Sequence, residues 1–336
     1  MFNIQRIHRT KVRKAALITA AVFLMLVSLF SVGGADASMK TPPPEKAKVI
    51  IIGDRVVDIA YNLGVLPEAM SVRGGLWPMA KKLKVASQIL GCPRCITVHK
   101  DVVPNACKKC GVTRLIIEKS NPYCLYKPKV KPENVVPLMA GTNVTIEYVD
   151  FSEGIEQAVR RTAQLLDCTG KATAVISKYR KQLASVNAAL PKEKSGKRVV
   201  ILNGIYQTAT GKTMLRVEAP GGYADQFLLS KLGCVNAGDA FKPSQGKPSK
   251  GHYMVRRKKG EMVLTPLIAA DPDIIVMTGD AFAVQKALAD YQALHPELAK
   301  IKAIRNLAVY ALPPYIDSGV LEYPGVLRKW AVALAR

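Results

Sequence analysis

Short apolar runs rich in β-branched residues alternate along the chain with amphipathic segments. The first four runs fall at residues 48–53, 69–72, 115–118 and 144–148. Each has the length of a buried strand, and residues 56–63 have the spacing of a helix that Gly64 ends. Strands that alternate with helices are typical of a parallel sheet covered by helices, so we predict an α/β fold.

A long stretch of helical periodicity follows the fourth run. Apolar residues recur with a helical period over 155–166, and again over 172–190 after a break at 167–170. The second stretch predicts one continuous helix about 28 Å long. Strand patterns then restart at 197–203 and 274–278. We therefore predict two Rossmann-like α/β lobes joined by a long interlobe α-helix, with a ligand cleft between the lobes.

The same patterns suggest where each part of the chain begins and ends. We place the N-terminal lobe at 38–150 with a cysteine-rich segment at 92–124, the helical spine at 151–192, and the C-terminal lobe at 193–336. Residues 1–37 differ from all of these, because five basic residues precede an apolar run and small residues follow it. This order is typical of a cleavable secretory signal peptide, and an uncleaved membrane anchor is the alternative.

The net charge of the chain and its expected export together restrict the classes of partner that it can have. The chain has 336 residues with 49 Lys and Arg against 25 Asp and Glu, and its formal charge of +24 would by itself favour nucleic acid. Removal of residues 1–37 takes away five basic residues and one acid and leaves +20 on an exported protein. We therefore expect no nucleic-acid partner. An anionic small ligand or an anionic surface fits better, and no lipid-attachment cysteine follows the apolar run.

Several segments resemble class III periplasmic solute-binding proteins, the helical-backbone receptors of ABC importers for siderophores, haem, cobalamin and metal ions. The opening KVIIIGDRVVDIAYNLGVLPEAMSVRG is similar to their first strand, helix and second strand. ADQFLLSKLGCVNAGD, LIAADPDIIVMTGD and AVYALPPYIDSG followed by YPGVLRKWAVAL resemble segments of their second lobe. The resemblance covers nearly all of 47–334, and the long helix falls where these proteins have their interlobe spine.

The resemblance implies a periplasmic receptor that binds without chemistry. Its ligand would be an iron chelate, a corrinoid or a similar metal complex, its partner an ABC permease, and its state a monomer that requires no cofactor. The family's permease-docking acids would correspond to Asp58 in the first lobe and, because Thr265 stands at the usual place, to Glu261 in the second. No G-x-S-x-G, H-E-x-x-H or phosphate-loop motif suggests an enzyme.

Four of the seven cysteines form two C-x2-C pairs that the resemblance does not explain. Cys92 and Cys95 form CPRC, and Cys107 and Cys110 form CKKC. Such paired spacing suits a tetrahedral zinc or iron ion. An oxidising compartment favours disulfides instead, within or between the pairs. A metal-handling or redox protein on the same scaffold is therefore our alternative function.

Ligand contacts are expected in the loops that follow strands of both lobes. Arginine can grip a carboxylate, and aromatic rings offer flat surface to a chelate or macrocycle. On this basis the candidates are Arg73, Trp77, Tyr123, Tyr126, Tyr206, Arg216, Tyr223 and Tyr315. Each of them can also be an ordinary structural residue. Only three histidines lie beyond residue 37, far apart in sequence, so a bare metal ion is not the expected ligand.

Overall fold

The computed structural model describes residues 44–75, 77–119, 131–207, 210–244, 251–258 and 260–335. Within these ranges the chain forms one main sheet in each of two lobes, with a long helix between the sheets. The predicted α/β fold with two lobes and an interlobe helix is confirmed. The expected signal peptide and the candidates Tyr123 and Tyr126 lie outside the described residues. None of the described helices is long and apolar enough to cross a membrane.

Five parallel strands form the sheet of the N-terminal lobe, in the order β3-β2-β1-β4-β5. The strands are β1 (Glu45–Ile52), β2 (Val65–Ser71), β3 (Gln88–Gly91), β4 (Arg114–Lys119) and β5 (Thr145–Asp150). The helices are α1 (Asp54–Asn62), α2 (Pro78–Leu83), α3 (Pro93–Val98) and α4 (Val102–Cys110), with a 3-10 helix at Pro132–Met139. The short strand β3 was not predicted.

The first predicted strand lies at the centre of this lobe. Ile50, Ile51 and Ile52 of β1 are fully buried. Because successive side chains of a strand point to opposite faces, Ile51 packs with Val56 and other residues on the α1 side of the sheet. Ile50 and Ile52 pack on the opposite face with Ile96. Burial on both faces explains why the run is continuously apolar rather than alternating.

The interlobe spine follows β5. It consists of α5 (Ile155–Leu165) and α6 (Thr169–Ala188), which agree closely with the predicted helical stretches. Between them Asp167 adopts a left-handed backbone with a φ of 53°, which separates the two helices. The 20 residues of α6 give it a length of about 30 Å, so it reaches from one lobe to the other. All of its charged side chains are basic.

The sheet of the C-terminal lobe is mixed rather than wholly parallel. Its order is β13-β12-β6-β7-β9, and a short strand, β8, also pairs with β6. β6 is parallel to β8 and β12, and β12 is parallel to β13, whereas β7 is antiparallel to both β6 and β9. The strands are β6 (Arg198–Gln207), β7 (Lys212–Glu218), β8 (Val235–Asn236), β9 (His252–Met254), β12 (Ile274–Gly279) and β13 (Val309–Ala311), and a separate hairpin joins β10 (Arg257–Lys258) and β11 (Glu261–Met262).

Helices cover both faces of this second sheet. They are α7 (Thr265–Ala270), α8 (Ala281–Leu294), α9 (Lys302–Arg305) and α10 (Tyr323–Leu334). Shorter helical turns lie at Asp225–Leu229, Ser230–Leu232, Gly238–Phe241, Pro296–Lys300 and Val320–Glu322. The segment 312–322, which we call the brace, joins β13 to α10 and contacts the N-terminal lobe.

Candidate ligand-binding site

The carboxyl ends of several strands open onto the space between the lobes. In the N-terminal lobe β2 ends before Gly75 and Trp77, and in the C-terminal lobe β6 and β12 end near Tyr206 and Gly279. Such edges are the usual place for ligands in open α/β sheets. The topology therefore directs loops of both lobes toward one region, as the sequence predicts.

A cavity of about 1360 Å³ occupies this region. Its walls come from both lobes, from one face of α6 and from the brace with the start of α10. The lining residues include Trp77, Lys81, Lys178, Lys181, Gln182, Asn203, Tyr206, Arg216, Asp280, Asp317, Arg328 and Lys329. Its volume exceeds the range common for small-molecule pockets and is large enough for a bulky ligand.

Basic side chains dominate the charge of this cavity. Lys178 and Lys181 lie three residues apart on α6, which places them on neighbouring positions of one helix face. Lys81 reaches the cavity from α2, and Arg328 and Lys329 reach it from α10. All five side chains are exposed, and none forms an ion pair with another described residue. They can therefore neutralise a bound anion without giving up an existing partner.

The acidic residues of the cavity have partners within the protein. Asp280 caps α8 by accepting a hydrogen bond from the backbone of Ala283 at 3.1 Å. Glu322 accepts from the backbone N–H of Gly319 and from the indole N–H of Trp77. Burial raises the pKa of Asp317 to about 6, although the nearby positive charge of Arg73 opposes this shift. Basic residues outnumber acidic ones in the lining of the cavity.

Two of the predicted contacts meet in the cavity wall. Tyr206 and Arg216 both line it, from neighbouring antiparallel strands. The ring of Tyr206 packs edge-on against Phe282, with 5.7 Å between ring centroids. Arg216 donates a hydrogen bond of 2.5 Å to the side-chain oxygen of Asn203. A partly buried guanidinium and an aromatic ring in one cavity wall suit a ligand that combines a carboxylate with a flat face.

Arg73 does not line the cavity, contrary to expectation. Its Nε donates to Asp54 at 2.5 Å, its Nη2 donates to the carbonyl of Ile316 at 2.9 Å, and its Nη1 lies 3.7 Å from Asp317. Only 7% of its side chain is exposed. Its role is therefore to hold the brace against the N-terminal lobe, which the sequence did not indicate because Asp317 lies far along the chain.

Trp77 borders the cavity, but its ring is fully buried. The indole N–H donates to Glu322 at 3.3 Å, and the ring packs in the core with Ala80. The expectation that this ring presents its face to a ligand is wrong for this structure. Trp77 instead supports the wall and ties it to the brace.

Tyr223 and Tyr315 lie in an aromatic cluster outside the cavity lining. Tyr315 stacks on Phe227 with 4.2 Å between centroids, and Tyr223 and Tyr323 pack around this pair. Burial raises the pKa of Tyr315 to about 12. The cluster is part of the C-terminal lobe's packing, so neither predicted tyrosine contacts the cavity.

The two predicted docking acids differ in exposure. Asp58 is fully buried, and it accepts hydrogen bonds from the backbone of Leu321 at 2.8 Å and from the side chain of Asn62 at 3.1 Å. Burial raises its pKa to about 7. The expectation of a surface acid at Asp58 is therefore wrong, because the brace covers it. Glu261 is exposed in β11, and its docking role stays a prediction.

The two C-x2-C pairs are not gathered around a common point. Among the described residues there is no group of three or more His, Cys, Asp or Glu side chains that could hold a metal ion. The zinc or iron site, one of the two interpretations of these pairs, therefore has no four-thiolate cluster to hold it among the described residues. The six described cysteines are all free, and only Cys92 and Cys95 have sulfurs in contact with each other.

Sequence reasoning missed the lysines of the spine and the basic pair of α10. The apolar period of α6 predicts the helix, whereas the charge of its residues is the signal that indicates these lysines. Its 20 residues include four basic side chains and no acid. Two of these four, Lys178 and Lys181, line the cavity.

Comparisons with known proteins agree with the fold. No protein-family model and no curated protein matches the chain. Among solved structures, the periplasmic heme-binding protein RhuT from Roseiflexus sp. RS-1 is 14% identical, with a TM-score of 0.57, 86% of this chain covered and 98% of that chain. The chain has the fold of the two-lobed periplasmic binding proteins.

Two further structures support the same assignment of fold. The periplasmic heme-binding protein HutB of Vibrio cholerae is 14% identical with a TM-score of 0.53, and the match covers 84% of this chain and 97% of that one. The triscatecholate siderophore-binding protein FeuA from Bacillus subtilis is 17% identical with a TM-score of 0.52, and the match covers 88% and 94%. The two-lobed arrangement therefore extends over nearly the whole described chain.

Proposed function

We propose that this protein is the exported substrate-binding component of an ABC importer, and that it captures an anionic metal chelate between its lobes. The observation that carries the proposal is the large cavity lined by five basic side chains that form no ion pair with another described residue. Siderophore and haem complexes carry carboxylates or catecholates, which such a cavity would attract. The similar structures bind haem or a triscatecholate siderophore, which supports this class of ligand.

The proposed role is binding and delivery rather than catalysis. Ligand would enter the cavity, contact Tyr206 and Arg216, and be neutralised by the lysines of α6. A permease in the inner membrane would then receive it from the periplasm. Only Glu261 of the two expected docking acids offers a surface carboxylate, so docking at the first lobe would need a different contact.

Ligand titration tests the proposal directly. We expect haemin or ferric bacillibactin to bind the purified protein with a dissociation constant in the micromolar range or tighter, and cyanocobalamin, which has no net charge, tests the corrinoid alternative. Absorbance follows the haem and cobalamin, and quenching of tryptophan fluorescence follows the siderophore. Binding of an anionic chelate should weaken as salt is raised, because charges at an open cavity are screened. If none of the three binds, the ligand class is wrong.

Charge reversal on the spine tests whether the basic side chains of the cavity bind the ligand. The double variant Lys178→Glu/Lys181→Glu should weaken binding of an anionic chelate by roughly tenfold or more, because attraction becomes repulsion. Lys171→Glu is the matched control, since Lys171 is exposed on the same helix but does not line the cavity. Equal affinities of the double variant and the control would contradict a role for these lysines.

A further inference from the structure

Two thiols of the N-terminal lobe are in contact at the carboxyl edge of its sheet. The Sγ atoms of Cys92 and Cys95 are 3.3 Å apart. Cys92 directly follows Gly91, the last residue of β3, and is half-buried, whereas Cys95 is exposed in the first turn of α3. Neither residue lines the ligand cavity. The pair therefore combines contact between two sulfurs with access from solvent.

The local backbone brings these two side chains together. Cys92 lies just before the helix with extended φ and ψ of −78° and 162°, and Pro93 takes the first helical position. The ring of Pro93 holds the backbone at the turn that joins strand to helix. Gly91 has a φ of 115°, and a Cβ atom there would lie 2.9 Å from the Cβ of Cys95. Gly91 therefore leaves the space in which Cys95 folds back over the strand end.

The second C-x2-C pair shows that spacing alone does not produce this contact. Cys107 and Cys110 both lie within α4, where residues three apart have Cβ atoms about 5–6 Å from each other. A disulfide needs Cβ atoms about 3.5–4.5 Å apart. Cys107 is also buried in the core of the lobe. Cys107 and Cys110 therefore serve as a comparison: they have the same spacing as Cys92 and Cys95, but the helical backbone between them is unsuitable for a disulfide.

We propose that Cys92 and Cys95 form a redox-active dithiol that exchanges with a disulfide-bearing partner. The thiolate of Cys95 attacks one sulfur of the partner disulfide, which forms a mixed disulfide and releases one partner thiolate. The thiolate of Cys92 then attacks Sγ of Cys95, which forms the internal disulfide and releases the second partner thiolate. Two electrons pass to the partner with two protons. Cys95 reacts first because it is the exposed sulfur.

Thiol trapping with peptide mapping tests this proposal. The purified full chain is equilibrated with glutathione and glutathione disulfide at several ratios, quenched with acid, alkylated with a maleimide after the acid is removed, and digested with trypsin. Cleavage after Arg94 separates the two cysteines, so only a disulfide can link peptides 85–94 and 95–100. We expect this linked species to accumulate as glutathione disulfide increases and to disappear when glutathione is in excess. Its absence in the most oxidising buffer would overturn the proposal.

Single substitutions test the order of the two steps. Cys92→Ser leaves the exposed sulfur without its resolving partner, so it should retain roughly tenfold more mixed disulfide with glutathione than Cys95→Ser. Cys110→Ser is the control and should leave the 85–94/95–100 link unchanged. Equal mixed disulfide in both variants, or a link from peptide 85–94 to peptide 101–108, would contradict the assignment. Haemin or siderophore affinity is measured separately, so this proposal and the binding proposal fail independently.

Discussion

At the scale of single residues, three buried carboxyl groups have pKa values well above their ordinary values. Burial raises the pKa of Asp58 to about 7, that of Glu218 to about 8 and that of Asp317 to about 6. A carboxyl group whose native pKa lies above its unfolded value holds a proton that the unfolded chain has lost. Its contribution to stability is therefore greatest at low pH and decreases as pH rises toward the native pKa.

Asp58→Asn should remove one part of this pH dependence. The ordinary pKa of this group is 3.8 and the native value is about 7. In the native protein Asp58 should therefore reduce the free energy of unfolding by up to about 4 kcal/mol as pH rises between these values. The asparagine does not titrate, and its oxygen can still accept from Leu321. Urea unfolding at several pH values should show a gain in stability for the variant near pH 8 relative to its behaviour near pH 4.

Asp290→Asn serves as the control for this measurement. Asp290 pairs with Lys286 on the surface of α8 and is 63% exposed, so its removal should change the pH profile little. The decisive quantity is the difference in the free energy of unfolding between each variant and the native protein at each pH. If Asp58→Asn follows the native profile at every pH, the carboxyl group of Asp58 is not buried as described.

Residue-scale roles were the part least accessible to sequence reasoning. Arg73 and Trp77 have the residue types of ligand contacts, and their position after β2 is correct. Their partners, Asp317 and Glu322, lie more than 240 residues further along the chain. Because no local pattern reports such pairings, the chemistry of a side chain alone could not separate a cavity contact from a buried support.

At the scale of elements, strands and helices with strong periodicity were predicted well. The run at 48–53 and the stretch at 172–190 correspond to β1 and α6, because burial imposes a period that the residues display. β3 has only four residues, too few for a period. β7 does alternate between buried and less buried positions. It was not predicted because we expected a wholly parallel sheet, in which the antiparallel hairpin of β6 and β7 does not occur.

At the carboxyl edge of the second sheet, β6 and the start of α8 lie so close together that we expect replacement of a glycine there to destabilise the fold. A Cβ atom on Gly204 of β6 would lie 2.2 Å from the backbone oxygen of Asp280 and 2.9 Å from Val284. Gly204→Ala should therefore lower the free energy of unfolding by about 2 kcal/mol or more, because backbone must move. Thermal unfolding measures this loss, and ligand affinity should fall as well, since Gly204 lines the cavity.

Gly170→Ala in α6 is the matched control. A Cβ atom at Gly170 meets nothing within 4 Å, and the position is helical. Alanine there should leave stability unchanged or raise it by up to about 1 kcal/mol, since glycine disfavours a helix. A similar loss in both variants would show that the effect comes from glycine replacement in general rather than from contact at the sheet edge.

At the scale of the whole molecule, the lobes are joined by more than the spine. The brace accepts a hydrogen bond from Arg73 at the carbonyl of Ile316 and donates one from the backbone of Leu321 to Asp58. The indole of Trp77 adds a third bond to Glu322. A rigid helix on one side and bonded brace contacts on the other leave little freedom for the lobes to rotate about a hinge.

This arrangement predicts that ligand binding hardly changes the shape of the molecule. Small-angle scattering with and without a bound chelate should give the same radius of gyration within error, because closure would require the brace contacts to separate. Glu322→Gln removes the charge from one of these contacts while nearly keeping the side-chain volume, and it should permit a larger difference between the two states. A clear contraction of the native protein on binding would show instead that the brace moves with the ligand.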